Sequence, residues 1–222
     1  MLSRRLSQSI VPLVMLVLLS MNVLTPTVSK AISTTIVISE FRFVGPNGGG
    51  DEFIELYNVS RMPVDISGYT VRGSSSTGVT SLVATIPAGV ILQPGQRYLI
   101  TGSTYSGGTL RDLASVSAIG SSGGVALLNG ATIVDQVGLS AGSAYQEGTT
   151  LAPLIGSINR SYERRPGGGV SNNNDSDNNS ADFGVATPSN PQNRMSPPTL
   201  SPTGDAPEDL AAFRVLLPFV RR

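Results

Sequence analysis

Residues whose side chains could hold a metal ion are concentrated in a polar segment near the end of the chain. Residues 172–182 read N-N-N-D-S-D-N-N-S-A-D. Asp175, Asp177 and Asn179 have the alternate spacing of oxygen ligands in calcium-binding loops, and Asp182 could supply a further carboxylate. The segment lacks the glycine and the terminal glutamate that complete such a loop, so the alternative is a solvated loop held by local side-chain hydrogen bonds. Calcium is the candidate cofactor, and the sequence indicates no other.

A second candidate site is a group of arginines just before that segment. Arg160, Arg164 and Arg165 lie close to Tyr162 in the sequence. On a strand, a period of two places Arg160, Tyr162 and Arg164 on one face, where guanidinium groups could bind a phosphate or an acidic polymer. The alternative is that the arginine stems cover the outside of a sheet and pair with neighbouring acids.

The charge of the chain argues against a nucleic-acid partner. The sequence has 15 basic and 15 acidic residues, but Arg4, Arg5 and Lys30 lie in a segment that we predict to be removed. The remaining 12 arginines face 15 acidic residues, which gives a net charge of −3, and no lysine remains. Such a surface does not favour phosphate groups, so nucleic acid is a disfavoured partner.

The residue types do not indicate catalysis. The chain contains no His and no Cys, so an enzyme of this sequence would depend on carboxylates, Ser or Tyr for proton transfer. Asp51, Glu52 and Glu55 form the densest acidic group before the polar segment, but Glu52 and Glu55 point to opposite faces of a strand. We interpret the three as surface carboxylates. The sequence therefore predicts no catalytic residue and a protein that is not an enzyme.

The elements that must position these residues are short strands. Residues 52–58 form an apolar run bounded by turn residues, which is typical of a strand in the middle of a sandwich. A period of two places Ile54 and Leu56 on the same face of this strand. The other strands that the pattern predicts are residues 34–44, 64–71, 79–86, 96–101 and 157–165.

A hairpin and an interrupted strand complete the pattern. Asn129 and Gly130 separate two apolar runs, residues 124–128 and 131–137, which indicates a β-hairpin. Glu40 interrupts the alternation of the first strand. Strands at this spacing, joined by turn residues and without helical periodicity, predict an all-β sandwich.

The amino terminus has the pattern of a secretory signal peptide. Arg4 and Arg5 supply a basic start, residues 10–24 are apolar, and Ala31 ends a small-residue cleavage motif. We predict a signal peptide at residues 1–31, which places the mature protein outside the cytoplasm. The alternative is an uncleaved anchor, although the apolar run is shorter than the roughly 20 residues of a typical span.

The carboxyl terminus divides into two parts. Residues 188–209 are rich in Pro, Ser, Thr and Asn, which predicts an extended linker. Residues 210–222 form a short apolar tail that ends in two arginines. This tail is either a sorting or surface-retention element or a strand docked on the sandwich. Contact with a membrane is expected only through this tail or an uncleaved signal segment.

Four segments in order resemble the lamin tail domain family. They are D-E-F-I-E-L-Y-N-V-S at 51–60, D-I-S-G-Y-T-V at 65–71, I-P-A-G-V-I-L-Q-P-G-Q-R-Y-L-I-T at 86–101, and the hairpin at 124–137. Two further segments resemble the bacterial, secreted branch of that family: S-Y-E-R-R-P at 161–166 and D-S-D-N-N-S-A-D-F at 175–183. We place the domain at residues 32–187.

The resemblance implies an all-β, immunoglobulin-like β-sandwich that acts as a secreted, non-catalytic interaction or structural module. The expected partner is a protein or a polymer of the cell envelope, and the expected location is the cell surface or the medium. The alternative is a small secreted enzyme, or an accessory domain that works with a nuclease or a polysaccharide hydrolase, since the family also occurs appended to such enzymes.

Overall fold

The computed structural model describes residues 33–167 and 171–199. This part of the chain is built from short strands and one helical turn. Their bounds are β1 Ile36–Arg42, β2 Phe53–Asn58, β3 Val64–Asp65, β4 Thr70–Ser74, β5 Thr80–Thr85, β6 Ile91–Leu92, β7 Arg97–Thr101, β8 Leu113–Ala114, β9 Gly124–Asn129, β10 Thr132–Gly138, β11 Ser161–Arg164, α1 Asn179–Asp182 and β12 Phe183–Ala186.

The strands form two principal sheets that enclose the core. One sheet has the order β12-β11-β1-β2-β7-β8, the other has the order β10-β9-β4-β5, and β3 and β6 form a separate pair. Neighbouring strands are antiparallel except β7 and β8, which are parallel. The predicted all-β sandwich is confirmed. No helix in the described ranges has the length and apolarity needed to cross a bilayer.

Strand β2 lies in the middle of its sheet, as its apolar run predicts. Ile54 and Leu56 belong to the core between the sheets, which confirms the predicted face. Phe53, Glu55 and Tyr57, on the opposite face, are also buried, because other segments of the chain cover the outside of this sheet. Both faces of β2 are therefore shielded from water.

The interruption at Glu40 is a β-bulge. The register between β1 and β2 shifts between Ile38 and Glu40. An extra residue at this point changes which side chains face the core. As a result Ile38 and Phe41 both belong to the core, while Glu40 is the cross-strand neighbour of Glu55. The bulge thus brings two carboxylates together on the outer face.

The predicted hairpin is present, but its turn lies one residue later than expected. Asn129 pairs with Thr132, so Gly130 and Ala131 form the two-residue loop. Gly130 has a φ of +59°. A two-residue hairpin turn of the II′ type has glycine at its first position because that position needs a positive φ. The glycine rather than the asparagine of this dipeptide therefore determines the turn.

The segment predicted as an extended linker is docked on the sheet as far as it is described. The Asn190 amide donates to Glu40 at 3.0 Å, and the Gln192 amide donates to Glu55 at 2.5 Å. Further along, the Thr199 amide donates to the Gly95 carbonyl at 3.0 Å. We call residues 188–199 the strap. The predicted domain boundary at residue 187 is therefore too early, because alternate amides of the strap are bound by carboxylates of the sheet.

Three other predicted segments fall on residues that the structure does not describe. The signal peptide at residues 1–31 and the apolar tail at residues 210–222 lie outside the described ranges, as does the remainder of the predicted linker. These segments stay predictions from sequence.

Removing the strap is expected to destabilise the domain. Truncation after Pro188 removes the backbone amides that donate hydrogen bonds to Glu40 and Glu55. It also exposes these two buried carboxylates to water. We expect Tm to fall by several degrees, because roughly 2–4 °C corresponds to 1 kcal/mol in a domain of this size. Truncation after Gly204 keeps the strap and is the matched control, for which we expect an unchanged Tm. Equal thermal melts for the two truncations would contradict a stabilising strap.

Candidate functional site

Asp182 organises the polar loop that was predicted to bind calcium. The loop lies between β11 and β12, and Asp182 is in the helical turn α1 at its end. Its carboxylate accepts hydrogen bonds from the Ser176 amide at 2.9 Å, the Ser176 hydroxyl at 2.6 Å and the Asn174 side chain at 2.9 Å. Asp182 is fully buried. This carboxylate therefore holds the loop in shape with local hydrogen bonds.

Asn179 fastens the same loop to the edge of the second sheet. Its side-chain oxygen accepts hydrogen bonds from the Gly138 amide at 2.9 Å and the Glu147 amide at 3.0 Å. Its side-chain nitrogen donates to the Gln136 carbonyl at 3.1 Å. Asn179 is buried, and its amide is engaged in these structural bonds. Asp177 adopts a left-handed backbone, with a φ of +54°.

Arg164 is the cation around which the acidic residues of this region are arranged. Its guanidinium lies 2.7 Å from Asp135, 3.2 Å from Asp175 and 3.6 Å from Asp182. The same group donates to the Ile38 carbonyl at 2.9 Å. Arg164 is fully buried. We call Arg164, Asp135, Asp175 and Asp182 the Arg164 cluster; it links β1, β10, β11 and the polar loop.

The predicted anion site is not formed by the three arginines. Arg160 precedes β11, and the face that Tyr162 and Arg164 share is the buried one: Tyr162 belongs to the core and Arg164 pairs with internal carboxylates. Arg165 is exposed on the other side and donates to the Phe183 carbonyl at 2.9 Å. Arg160 donates to the Ile155 carbonyl. The arginines therefore bind the chain itself, and the prediction of an anion site at Arg164 needs this correction.

Three carboxylates lie beside Arg164 in a geometry that could hold a cation. One oxygen from each of Asp135, Glu147 and Asp175 lies within 4.8 Å of the others. Of the four predicted calcium ligands, Asp175 is the one that this group contains. Asp135 and Glu147 come from β10 and the loop after it, and no local spacing in the sequence relates them to Asp175. Calcium binding stays a prediction, with a ligand set different from the expected one.

The pKa of Glu147 is raised within this acidic group. Burial, followed by the charges of Asp135 and Asp175, raises the pKa of Glu147 to about 9 from its ordinary value of 4.5. The folded protein thus holds a proton on Glu147 over a pH range in which the unfolded chain has lost it. By linkage, this contribution to stability is present at low pH and is lost as the pH rises from about 4.5 to about 9.

The substitution Glu147→Gln is expected to flatten the dependence of stability on pH. Gln keeps the shape of a protonated Glu, so at pH 5 the variant and the parent should have similar Tm values. At pH 8 the variant should melt at a higher temperature, by about 3 °C or more, because the parent must retain a proton that the unfolded chain releases. Thermal melts in chelator at both pH values provide the measurement. A variant that is less stable than the parent at pH 8 would contradict this account of Glu147.

Calcium is tested with the same two proteins. If a calcium ion occupies the group, it raises the Tm of the parent by mass action. The same ion should have a weaker effect on Glu147→Gln, which lacks one carboxylate. We expect this pattern at pH 7 in calorimetry with calcium and with chelator. Identical melts of the parent under both conditions would leave the solvated, side-chain-bonded loop as the correct interpretation.

Two further carboxylates are buried on the outer face of the six-stranded sheet. Glu40 accepts hydrogen bonds from the Ser161 hydroxyl at 2.5 Å and the Asn190 amide at 3.0 Å. Glu55, its cross-strand neighbour, lies 3.2 Å from the Arg97 guanidinium. Burial raises the pKa of Glu40 to about 7 and that of Glu55 to about 8. Because burial and the charge of Glu40 both disfavour ionisation of Glu55, the two carboxylates favour a state that retains a proton.

The interpretation of Asp51, Glu52 and Glu55 as surface carboxylates is wrong. All three are buried. Asp51 forms a buried ion pair with Arg42, Glu52 accepts the Ile119 amide at 2.8 Å, and Glu55 binds the strap. Each is shielded because a loop or the strap crosses above it, and the local sequence gives no sign of that cover. Their observed contacts are structural.

The described part of the chain also has an open cleft. It is formed by the loop that leaves β7 and has a volume of about 490 Å³. Its lining residues are Thr101, Ser103, Tyr105, Gly107, Gly108, Thr109, Leu110 and Arg111. Sequence reasoning missed this loop because its Gly and Ser content predicts only a connection. The cleft offers hydroxyl groups, backbone and one guanidinium, which are groups that bind rather than transfer protons at neutral pH.

The family model described as Lamin Tail Domain matches residues 29–141. This range begins before β1 and ends just after β10, so it covers both principal sheets apart from β11 and β12. No curated protein sequence matches the chain. Because the match covers half of the chain, and the strands have the sandwich arrangement of an immunoglobulin-like domain, the chain belongs to the lamin tail domain family.

Proposed function

We propose that this protein is a secreted, non-catalytic binding module that attaches to a polymer of the cell envelope. The observation that carries the proposal is the contrast between its charged clusters and its cleft. The ionisable groups of the Arg164 cluster and of the Glu40 and Glu55 pair are committed to internal contacts. The lining of the cleft, by contrast, includes the exposed residues Ser103 and Arg111.

The sequence supports the same proposal from another direction. The amino-terminal pattern is that of a secretory signal, and membership of the lamin tail family suggests an interaction module. The net charge of −3 after residue 31 and the internal use of Arg164 argue against phosphate backbones as the main partner. A role at the bacterial cell surface is consistent with the signal pattern, the family and the net charge.

The proposal is tested by sedimentation with isolated cell envelopes. Mature protein, beginning at residue 32, is mixed with envelopes from the organism that encodes it, and the bound fraction is measured against protein concentration. We expect saturable binding that an excess of unlabelled protein displaces. Binding that does not saturate, or no binding at all, would contradict an envelope partner.

The accessory role is a separate arm of the same experiment. Here the mature protein is added to a secreted nuclease or polysaccharide hydrolase of the same organism. An increase in the hydrolysis rate without envelope binding would favour the accessory domain over the binding module.

A further inference from the structure

The strap crosses the outer face of the six-stranded sheet and is held there by side-chain carboxylates. Its alternate backbone amides donate to carboxylates of successive parts of the sheet: Asn190 to Glu40 on β1 at 3.0 Å, Gln192 to Glu55 on β2 at 2.5 Å, and Arg194 to Asp112, just before β8, at 3.1 Å. Because β1 and β2 are neighbours in the sheet, the strap runs across the strands and covers both glutamates.

Arg97 supplies the positive charge under the strap. Its guanidinium lies 3.2 Å from Glu55, and it also donates to the Gln192 side chain at 3.1 Å and to the Thr199 hydroxyl at 3.2 Å. Within the described ranges, this is the one ion pair that Glu40 or Glu55 makes. Arg97 therefore compensates a single negative charge.

The carboxylates on this face outnumber that charge. Glu40 is the cross-strand neighbour of Glu55 on one side and of Glu163 on the other. Both Glu40 and Glu55 are buried, and neighbouring like charges that are shielded from water disfavour each other's ionisation. While the strap is in place, the second glutamate to ionise would leave an uncompensated buried charge. Departure of the strap would let water solvate both carboxylates.

The pKa values of the pair have the direction that this geometry requires. Burial raises the pKa of Glu40 to about 7 and that of Glu55 to about 8, from an ordinary value of 4.5. Once the strap is gone, both values should fall toward the ordinary one. Docking of the strap is therefore coupled to proton uptake. Its stability is fully present at low pH and is lost as the pH rises through the raised values.

The other ionisable groups around the pair do not supply the missing positive charge. Arg42, on the same face, is engaged in the buried ion pair with Asp51. Burial raises the pKa values of Tyr57 and Tyr105 above the ordinary 10.0, so both rings stay neutral over this pH range. Glu163 adds a further negative charge. The balance on this face thus depends on the two glutamates and one arginine.

We propose that the strap is a pH-sensitive latch, docked while the Glu40 and Glu55 pair retains a proton and released from the sheet when both glutamates are ionised. Release exposes the two carboxylates and the Arg97 guanidinium on the outer face. The core between the sheets lies on the opposite side of β1 and β2, so the sandwich itself stays folded when the strap leaves. The latch does not depend on the partner suggested above.

The latch is tested by carbon-detected NMR of the mature protein from about pH 5 to about pH 9, which follows the strap without relying on exchangeable amide protons. We expect the backbone carbon shifts of residues 189–199 to approach those of an unfolded chain above about pH 8. The side-chain carboxyl carbons of Glu40 and Glu55 should titrate in the same range, while the shifts of β9 stay constant. Strap shifts that do not change up to pH 9, or glutamates that titrate near their ordinary value, would overturn the proposal.

Variants identify the groups responsible. The double variant Glu40→Gln with Glu55→Gln keeps both side chains neutral, so its strap should stay docked at pH 9, with at least a tenfold (about 1.4 kcal/mol) smaller ratio of released to docked strap than in the parent. The single variant Glu40→Gln leaves Glu55 paired with Arg97 and should behave similarly, which keeps the test available if the double variant does not fold. Glu147→Gln, the control, should release its strap as the parent does. Release from the Glu40→Gln variant at the same pH as from the parent would overturn the proposal.

Discussion

Replacement of Arg164 by Met is expected to lower the free energy of unfolding by about 3–5 kcal/mol, because removing one partner of a buried ion pair leaves its charged neighbours uncompensated. In this protein the neighbours are Asp135, Asp175 and Asp182, and Arg164 is the cation that lies among them. The variant also loses the contact between the guanidinium and the Phe183 ring, 4.6 Å away. The long apolar stem of Met keeps most of the packing, so the loss reports mainly on charge.

Denaturant unfolding at pH 7 measures this effect, with Arg165→Met as the matched control. Arg165 is the next residue, but it is exposed and lies outside the Arg164 cluster. We expect the control to change stability by less than about 1 kcal/mol. If the two variants are equally stable, Arg164 does not organise the polar loop, and an anion site at this position regains support.

Replacement of Leu56 by Ala is expected to cost about 2–5 kcal/mol, the usual range for truncating a buried leucine. Leu56 is fully buried and lies at the middle of the six-stranded sheet. Its cross-strand neighbours are Ile38 on β1 and Tyr98 on β7. All three belong to the core between the sheets. Because β2 is held on both sides, its neighbours cannot close the cavity.

Thermal and denaturant melts of Leu56→Ala are compared with those of Ile155→Ala. Ile155 is 83 % exposed, so its truncation should cost less than about 0.5 kcal/mol. A loss of that small size at Leu56 would place this residue on the surface and reverse the assignment of the two faces of β2.

The sandwich could be predicted because its determinants are local. The alternation of β2 placed Ile54 and Leu56 on the inner face, and the break at Glu40 marked a bulge. Gly130 marked a hairpin because a positive φ is needed there. Each of these signals lies within a few neighbouring residues, which is the range over which a sequence pattern can be interpreted without knowing the tertiary contacts.

The charged clusters could not be predicted because their members are distant in sequence. Arg164 binds Asp135, which lies 29 residues earlier. Glu147 lies close to Asp135 and Asp175 but comes from the loop after β10. Its backbone amide donates a hydrogen bond to the side chain of Asn179. Charged residues are rarely buried unless they are paired, so without knowledge of the partners the surface was the expected place for them.

The strap was mistaken for a linker for a different reason. Its composition predicts an extended segment, and the segment is extended in the structure. Its attachment depends on backbone amides, at Asn190 and Gln192, which bind carboxylates of the sheet. Backbone donors are the same in every non-proline residue, so composition cannot reveal them. The cleft was missed in the same way, since its lining residues form a cleft only in the folded arrangement of the loop.

We propose that this lamin-tail domain binds its polymer without cleaving it. The most direct measurement is the number of new chain ends in envelope polysaccharide and in DNA after incubation with a saturating amount of mature protein. We predict that the bound polymer is recovered at its original length, with no new ends above those in a sample without protein. New ends that accumulate in proportion to time and to protein concentration would contradict the claim and identify an enzyme.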